Sequence, residues 1–431
     1  MKLLLGYNAK QEAVHWNSET AINGHMLLIG KTGSGKTHNV KKIVNEYMKE
    51  DQITRVHVFD PHSDMEIGDE SVVRFSESSN SGINPLKISD NPEFGGVRKR
   101  IQTLFDIINS TSRKLGSKQE SVLRNILIDL YASKGLYIDS PQSWENNTNY
   151  PTMQECLDYS KQLLKTIYIG SSIKSLILVD ELSKNARSMI RKNIKFTKQP
   201  ESTIGETEAL KDLQEQGLYS IECFTQYIEH ITSGKEKQNQ DDSSIDLSLK
   251  YGSLDVLKSV VERLENLMGT GLFKSEEPAF NNSKKIWRYD LKPLSNDEKS
   301  IYVQLRIKEI YDKILESSHN ETIKHVFVVD EAHLYMGDDE NIINTLAKES
   351  RKFGVSLIAA SQSPAHFSAD FTGNVGMTMI LGTSEIHFEP LARKFRIKAT
   401  ILENIVPRKI IAVSVDQKTQ KSTGYKLIAS I

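Results

Sequence analysis

The chain has 431 residues, 38% hydrophobic and 26% charged, with 55 Lys+Arg against 56 Asp+Glu for a formal net charge of −1. At about 150 residues per domain that length holds two or three domains, or one large domain with an insertion. The composition excludes a collagen repeat, a disulfide scaffold, wholesale disorder and a global positive field that would draw the chain to nucleic acid or anionic lipid.

No apolar run approaches the ~18 residues of a membrane span, and the opening MKLLLG is too short for a signal peptide. The expected compartment is the cytoplasm, with no membrane partner. Cys156 and Cys223 have no second Cys or His at ligand spacing and read as reduced structural thiols.

The first buried strand is expected at Met26-Leu27-Leu28-Ile29, followed by a glycine loop and a helix over Asn39 to Glu50. A second strand over Arg55 to Phe59 ends at Asp60, a third is expected at Val72 to Phe75, and the chain then turns through Gly82 to Leu86. From Asn91 to Phe280, apolar residues at i, i+3 and i+4, as in Val122 to Leu130 and Val256 to Met268, predict a mostly helical region. Within it, Ser233 to Asp246 reads as a polar loop. Alternation returns at Ile286 to Leu291. Strands follow at Val326 to Val329, Val355 to Ser361 and Met377 to Leu381, with a helix over Asn341 to Phe353 and a closing hairpin from IIAVSV and TGYKLIAS.

Near-continuous apolar strands separated by helices predict a parallel sheet covered on both faces. The expected class is α/β: a P-loop NTPase core with a mostly parallel sheet, built from residues 1–90 and 285–431, with a large helical insertion over 91–284. No internal repeat is evident, which excludes solenoids and propellers.

Gly30-Lys31-Thr32-Gly33-Ser34-Gly35-Lys36-Thr37 matches G-x-x-x-x-G-K-[ST] between a strand and a helix. The glycines let backbone N–H groups turn toward phosphate oxygens, Lys36 reaches the β- and γ-phosphates, and the Thr37 hydroxyl suits Mg²⁺ at a helix N-terminus. Val326 to Val329 then delivers Asp330 to the Mg²⁺ shell and Glu331 as the acid that polarises the attacking water. Leu176 to Glu181 has the same local form but continues into a helical pattern, so it reads as buried helix. His333 either senses nucleotide or caps local structure. Gln362, at the end of a strand beside the catalytic one, is placed to contact the γ-phosphate or its water. Arg351 either reaches a neighbouring subunit's nucleotide or interacts with its own helix dipole.

Taken together, HMLLI-GKTGSGKT, Asp60-Pro61-His62, Asn84-Pro85-Leu86, DEAH and ESRKFGVSLIAASQSP resemble the HerA branch of the FtsK/HerA superfamily of ring-forming DNA-pumping ATPases. The resemblance covers roughly residues 1–90 and 285–431. It implies a RecA-like core, ATP and Mg²⁺ as cofactors, a homo-hexamer around double-stranded DNA, and ATP-driven translocation. It also implies a trans-acting finger role for Arg351, a polar sensor role for Gln362, and places for Asp60 and His62 beside the nucleotide. A separately encoded nuclease or antiviral defence effector is a partner such a motor could serve.

Two departures stand out. The family's N-terminal β-barrel is expected to be absent, since the P-loop begins at residue 30, and Ser361-Gln362-Ser363-Pro364 lacks the arginine the family tends to carry there. DNA contacts are expected from either of two basic runs, Lys184, Arg187, Arg191, Lys192, Lys195 and Lys198, or Arg98, Lys99 and Arg100, each of which reads equally as a solvated helix face.

Regulatory GTPases are excluded by the absence of an Asn-Lys pair, ABC ATPases by the absence of LSGGQ, and two-lobed DEAH helicases by the absence of their Ser-Ala-Thr and arginine-rich motifs. Two alternatives remain: a nucleotide-dependent scaffold that organises an effector, and a conjugation- or secretion-type ATPase.

Overall fold

The structure is a computed structural model. It describes residues 1–89, 91–111, 113–145, 147–169, 250–316, 322–336, 341–362, 365, 367–419 and 424–430, with short helical pieces at 184–185, 187–188, 217–219, 221–222 and 224–226. The Leu176 to Glu181 run, the Ser233 to Asp246 loop, Cys223, Arg191, Lys192, Lys195, Lys198, Ser363 and Pro364 lie outside the described residues. The chain divides into two compact units, one of Met1–Leu115, Lys134–Met153 and Leu267–Ile431, the other of Gly116–Ser133 and Gln154–Asn266.

In the first unit the described residues form an eleven-stranded sheet, of order β2-β1-β11-β10-β9-β3-β8-β7-β4-β6-β5. The strands are β1 (Lys2–Tyr7), β2 (Ala13–Asn17), β3 (Met26–Ile29), β4 (Arg55–Asp60), β5 (Glu70–Arg74), β6 (Ile286–Asp290), β7 (His325–Val329), β8 (Val355–Ser361), β9 (Met377–Ile380), β10 (Ile410–Val415) and β11 (Lys426–Ser430). From β9 across to β5 neighbouring strands pair in parallel, and from β9 outward through β10, β11, β1 and β2 they pair antiparallel. Every residue of β3, β8 and β9 is buried, as the unbroken apolar runs predict for strands covered on both faces.

On one face of the sheet, Val40, Ile43, Val44 and Tyr47 of α1 (Lys36–Tyr47) join a core with Met26, Leu28, Val56, Val58, Val326, Val328, Ile358 and Ala360. A buried polar clip secures that packing. The Tyr47 hydroxyl lies 3.0 Å from Ser356 Oγ, which donates to the Gly24 carbonyl at 2.6 Å. The second unit contains α3 (Ser117–Ser133), α4 (Met153–Ile169) and most of α5 (Leu254–Gly269), with Gln119 Nε2 donating to Ser259 Oγ at 2.9 Å. The first unit also contains α2 (Val97–Thr111), α6 (Asn296–Leu315), which opens on a Ser295–Glu298 capping box, and α7 (Ile342–Glu349).

Two elements differ from the sequence reading. That reading has no strand ahead of Met26, whereas β1 and β2 extend the antiparallel edge, β1 beside β11. KLLLGY carries no clean alternation, so its strand character rests on its partners, β2 just after it and β11 more than 400 residues away in sequence. The helix expected over Asn341 to Phe353 shortens to α7 and finishes as a 3₁₀ turn over Ser350–Phe353, where Gly354 takes φ 69°.

Gly6 is where β1 meets β11, and a Cβ there would lie 2.2 Å from the Ala429 carbonyl oxygen. Gly6→Ala is expected to push the two strands apart at a cost of about 2 kcal/mol. Urea unfolding and limited proteolysis should show a lower midpoint and earlier cleavage within residues 8–25.

Candidate functional site

Because β3, β4, β7 and β8 are parallel, their carboxyl ends lie along one edge of the sheet. Ligands in open α/β sheets bind outside such an edge. The loop after β3 is Gly30 to Gly35, the end of β4 is Asp60, β7 leads into Asp330 and Glu331, and β8 ends at Ser361, followed by Gln362. Gly33 (φ 80°) and Gly35 (φ 99°) take left-handed backbone that other residues rarely adopt, and Gly35 is the N-cap of α1. The loop is anchored by Gly30 N–H to the Ser361 carbonyl at 3.1 Å and Lys31 N–H to the Gly382 carbonyl at 2.9 Å.

Lys36 is buried, its Nζ donating to the Gly30 carbonyl at 2.8 Å and lying 3.7 Å from Glu331 Oε1. Gln362 joins Glu331 to the loop. Its Nε2 donates to Glu331 Oε1 at 2.7 Å, and its Oε1 accepts from Thr32 Oγ1 at 3.0 Å. His333 Nδ1 sits 3.2 Å from Glu331 Oε2 and 3.2 Å from Ser361 Oγ. Burial alone would raise the Glu331 carboxyl, but hydrogen bonds from His333 and Gln362, with the Lys36 charge, hold it at about 2. Glu331 is ionised at neutral pH. Its backbone is left-handed, φ 45° and ψ 47°, a strain of the kind that persists where surrounding contacts over-determine it.

Asp330, beside it, has the opposite electrostatics. Burial first, and then the Glu331 charge, push its carboxyl up to about 7, and its Oδ1 is buried without a partner among the described residues. A carboxylate so placed fits a cation, and Asp330 with the Thr37 hydroxyl are oxygen donors of the type Mg²⁺ takes alongside phosphates and water. Among the described residues no group of three or more His, Cys, Asp or Glu forms a self-sufficient metal site.

Asp60 is brought to the same edge but is fully buried, with both oxygens engaged. Oδ1 accepts the N–H groups of His62 (3.1 Å), Ser63 (2.7 Å) and Asp64 (3.3 Å), while Oδ2 accepts Met65 N–H (2.9 Å) and Arg288 Nη1 (3.1 Å). It shapes the loop that carries His62 and Asp64 to the cleft. Neither the buried Arg288 nor its second partner, Glu70, at 2.8 Å from Nε, stands out in the sequence.

These elements enclose a cleft of about 820 Å³ lined by the P-loop, His62, Asp330, Glu331 and Gln362, and also by Arg408. Arg408 escapes a sequence reading because it stands in no motif and lies far along the chain. Arg351 is not in this cleft. It lines a separate cavity of about 270 Å³ with Asn23, Gly24, Ile323 and Val355, at the amino ends of the same strands. The seven residues of β8 separate the two edges, roughly 20 Å. His25, buried at that amino edge, accepts from Leu357 N–H at 3.2 Å, and burial, then the Arg351 charge, lower its pKa to about 4. Of the two basic runs, Arg98, Lys99, Lys184 and Arg187 are exposed, whereas Arg100 is buried with Nε on the Pro85 carbonyl.

Comparison with known proteins matches residues 5–310 to the family described as Helicase HerA, central domain, a span that runs through the helical middle. The uncharacterized protein aq_aa31 of Aquifex aeolicus (strain VF5) is 35% identical over 48 residues, a stretch that is 11% of this chain and 18% of that protein. The structure of VirB4 of Thermoanaerobacter pseudethanolicus superposes with a TM-score of 0.62 at 16% identity, covering 100% of this chain and 96% of that one. The plasmid coupling protein TrwB, solved with a non-hydrolysable ATP analogue, superposes with a TM-score of 0.54 at 10% identity, covering 100% and 95%. The likeness to VirB4 and TrwB is one of fold.

Asp60→Ala would remove five acceptor contacts and leave Arg288 with Glu70 alone. The expected loss is about 3–5 kcal/mol. Thermal melting should show it, and amide hydrogen exchange should accelerate selectively at residues 62–65.

Proposed function

The chain belongs to the Helicase HerA, central domain family and is a P-loop ATPase, and from that premise we propose that it is a motor that assembles as a homo-hexamer and spends ATP to move duplex DNA through the ring. The observation that carries the ring is the position of Arg351. A guanidinium roughly 20 Å from the phosphate loop of its own chain cannot serve that site, but it can serve the cleft of a neighbour.

In this reading the backbone N–H groups of Gly33 to Thr37 and the Lys36 ammonium hold the phosphates, and Gly30, Lys31 and Thr32 set the loop's shape. Thr37 and Asp330 would hold Mg²⁺, which would supply charge neutralisation to the phosphates. Glu331, ionised, accepts a hydrogen bond from the attacking water, and Gln362 orients that water or the γ-phosphate. Water oxygen bonds to the γ-phosphorus as the β,γ-bridging P–O bond breaks, leaving its electron pair on ADP. Arg351 of a neighbouring subunit meets the charge that develops. His62, on the Asp60-shaped loop, borders the nucleotide.

The motor acts in the cytoplasm, with a separately encoded nuclease or antiphage effector as its partner class. Among the described residues no helix is long and apolar enough to cross a membrane. The fold shared with VirB4 and TrwB favours a second reading, a conjugation- or secretion-type ATPase on the same catalytic plan.

Steady-state ATP hydrolysis is expected to rise when linear duplex DNA is added and to vanish in Lys36→Ala. Lys36-dependent hydrolysis indifferent to DNA would instead favour a nucleotide-driven scaffold. Arg351→Ala is expected to lower turnover by about 10³-fold or more. Mixing it with Lys36→Ala subunits should restore part of the rate, because each supplies what the other lacks; no rescue would argue for a role within the subunit.

A further inference from the structure

The turn ahead of β10 reaches the P-loop at two places. Val406 and Ile410 close it with paired backbone bonds, Val406 N–H to the Ile410 carbonyl at 3.0 Å and the reverse at 2.8 Å, leaving Pro407, Arg408 and Lys409 at its tip. Pro407 packs on Gly382, 3.1 Å from where a Cβ would stand, and the Gly382 carbonyl holds Lys31 N–H. Arg408 Nε donates to the Gly33 carbonyl at 2.9 Å, and its Cγ lies 3.6 Å from the Cβ position of Gly35. Arg408 takes left-handed backbone, φ 65°, an unfavourable state for a residue with a side chain. Its two Nη groups have no partner among the described residues, and its side chain lines the cleft.

Charge adds a second argument. Asp64, Asp330 and Glu331 line the cleft as acids, against Lys36 and Arg408 as its cations. A polyphosphate entering with Mg²⁺ still adds negative charge, and a guanidinium with free donors offers two parallel hydrogen bonds to phosphate oxygens.

We propose that Arg408 is a second cationic contact to the nucleotide, gripping polyphosphate oxygens in cis while its Nε holds the P-loop at Gly33. The proposal rests on the reading of this cleft as the nucleotide site. It makes the turn ahead of β10 a part of the phosphate cradle, so that occupancy is felt at the antiparallel edge of the sheet.

The test measures binding of a fluorescent ADP with Mg²⁺ to the full chain, and its displacement by ATP analogue and by inorganic tripolyphosphate, for wild type, Lys36→Ala, Arg408→Ala and Arg408→Lys. Expected are a loss of about 10- to 100-fold in Arg408→Ala for ADP and tripolyphosphate alike, and partial recovery in Arg408→Lys. The melting temperature without nucleotide should fall only slightly, since one exposed hydrogen bond is lost, and the rise on adding ADP should be smaller. Undiminished ADP affinity in Arg408→Ala overturns the proposal. So does a loss confined to ADP, which would place the contact on the base or ribose, or a lower nucleotide-free melting temperature with an intact rise on ADP, which would make Arg408 only a brace for Gly33. If wild type and Lys36→Ala bind alike, the nucleotide reading of the cleft falls, and Arg408's role with it.

Discussion

Parallel pairing is the constraint on which the rest depends. β4, β7, β8 and β3 lie side by side and point the same way, so the loops that follow them converge on one edge although they come from residues 30, 60, 330 and 362. Antiparallel pairing would scatter the same residues to opposite edges. The pairing also separates Arg351, which precedes β8, from Gln362, which follows it. One strand direction thus places the phosphate loop, the acids and the polar linker together and sends the arginine to the opposite rim.

Within the cleft, the protein's own groups pair with one another. Lys36 Nζ is held by the Gly30 carbonyl and the Glu331 carboxylate, and Gln362 spans from Glu331 to Thr32. A γ-phosphate drawing Lys36 outward would leave Glu331 with one fewer cation, and a phosphate or water bonded to Gln362 would compete with Thr32. Each exchange would make Glu331 more basic, because Lys36 and Gln362 are among the groups that hold it low. Asp330, with its buried free oxygen, is set apart from this web and is suited to a cation.

The sequence made legible what is local. The strand-loop-helix around Lys36 and the strand ending in Asp330-Glu331 are contiguous, and unbroken apolar runs such as VSLIAAS carry the signature of strands buried on both sides. Gln362 could be placed beside the acid because strand order in such sheets is restricted. What depends on distant partners was not legible. Nothing in DPHSD says that Asp60 is occupied by four backbone N–H groups and Arg288, and nothing near VPRK says that Arg408 touches Gly33. The β1–β2 edge likewise joins the sheet through β11, at the far end of the chain.

The position of β3 also bears on how the chain is made. Its two neighbours, β8 and β9, begin at Val355 and Met377, so MLLI is made well ahead of both and has no native strand beside it until Val355 and beyond have followed. At ~5–20 residues per second that interval is tens of seconds, during which a wholly apolar strand and its glycine loop are exposed. Long-range parallel pairing is slow to form once the partners exist. The cleft at the end of β3 therefore waits on late-made strands, and a chain truncated before Val355 carries residues 30–37 without the strands that pair with β3.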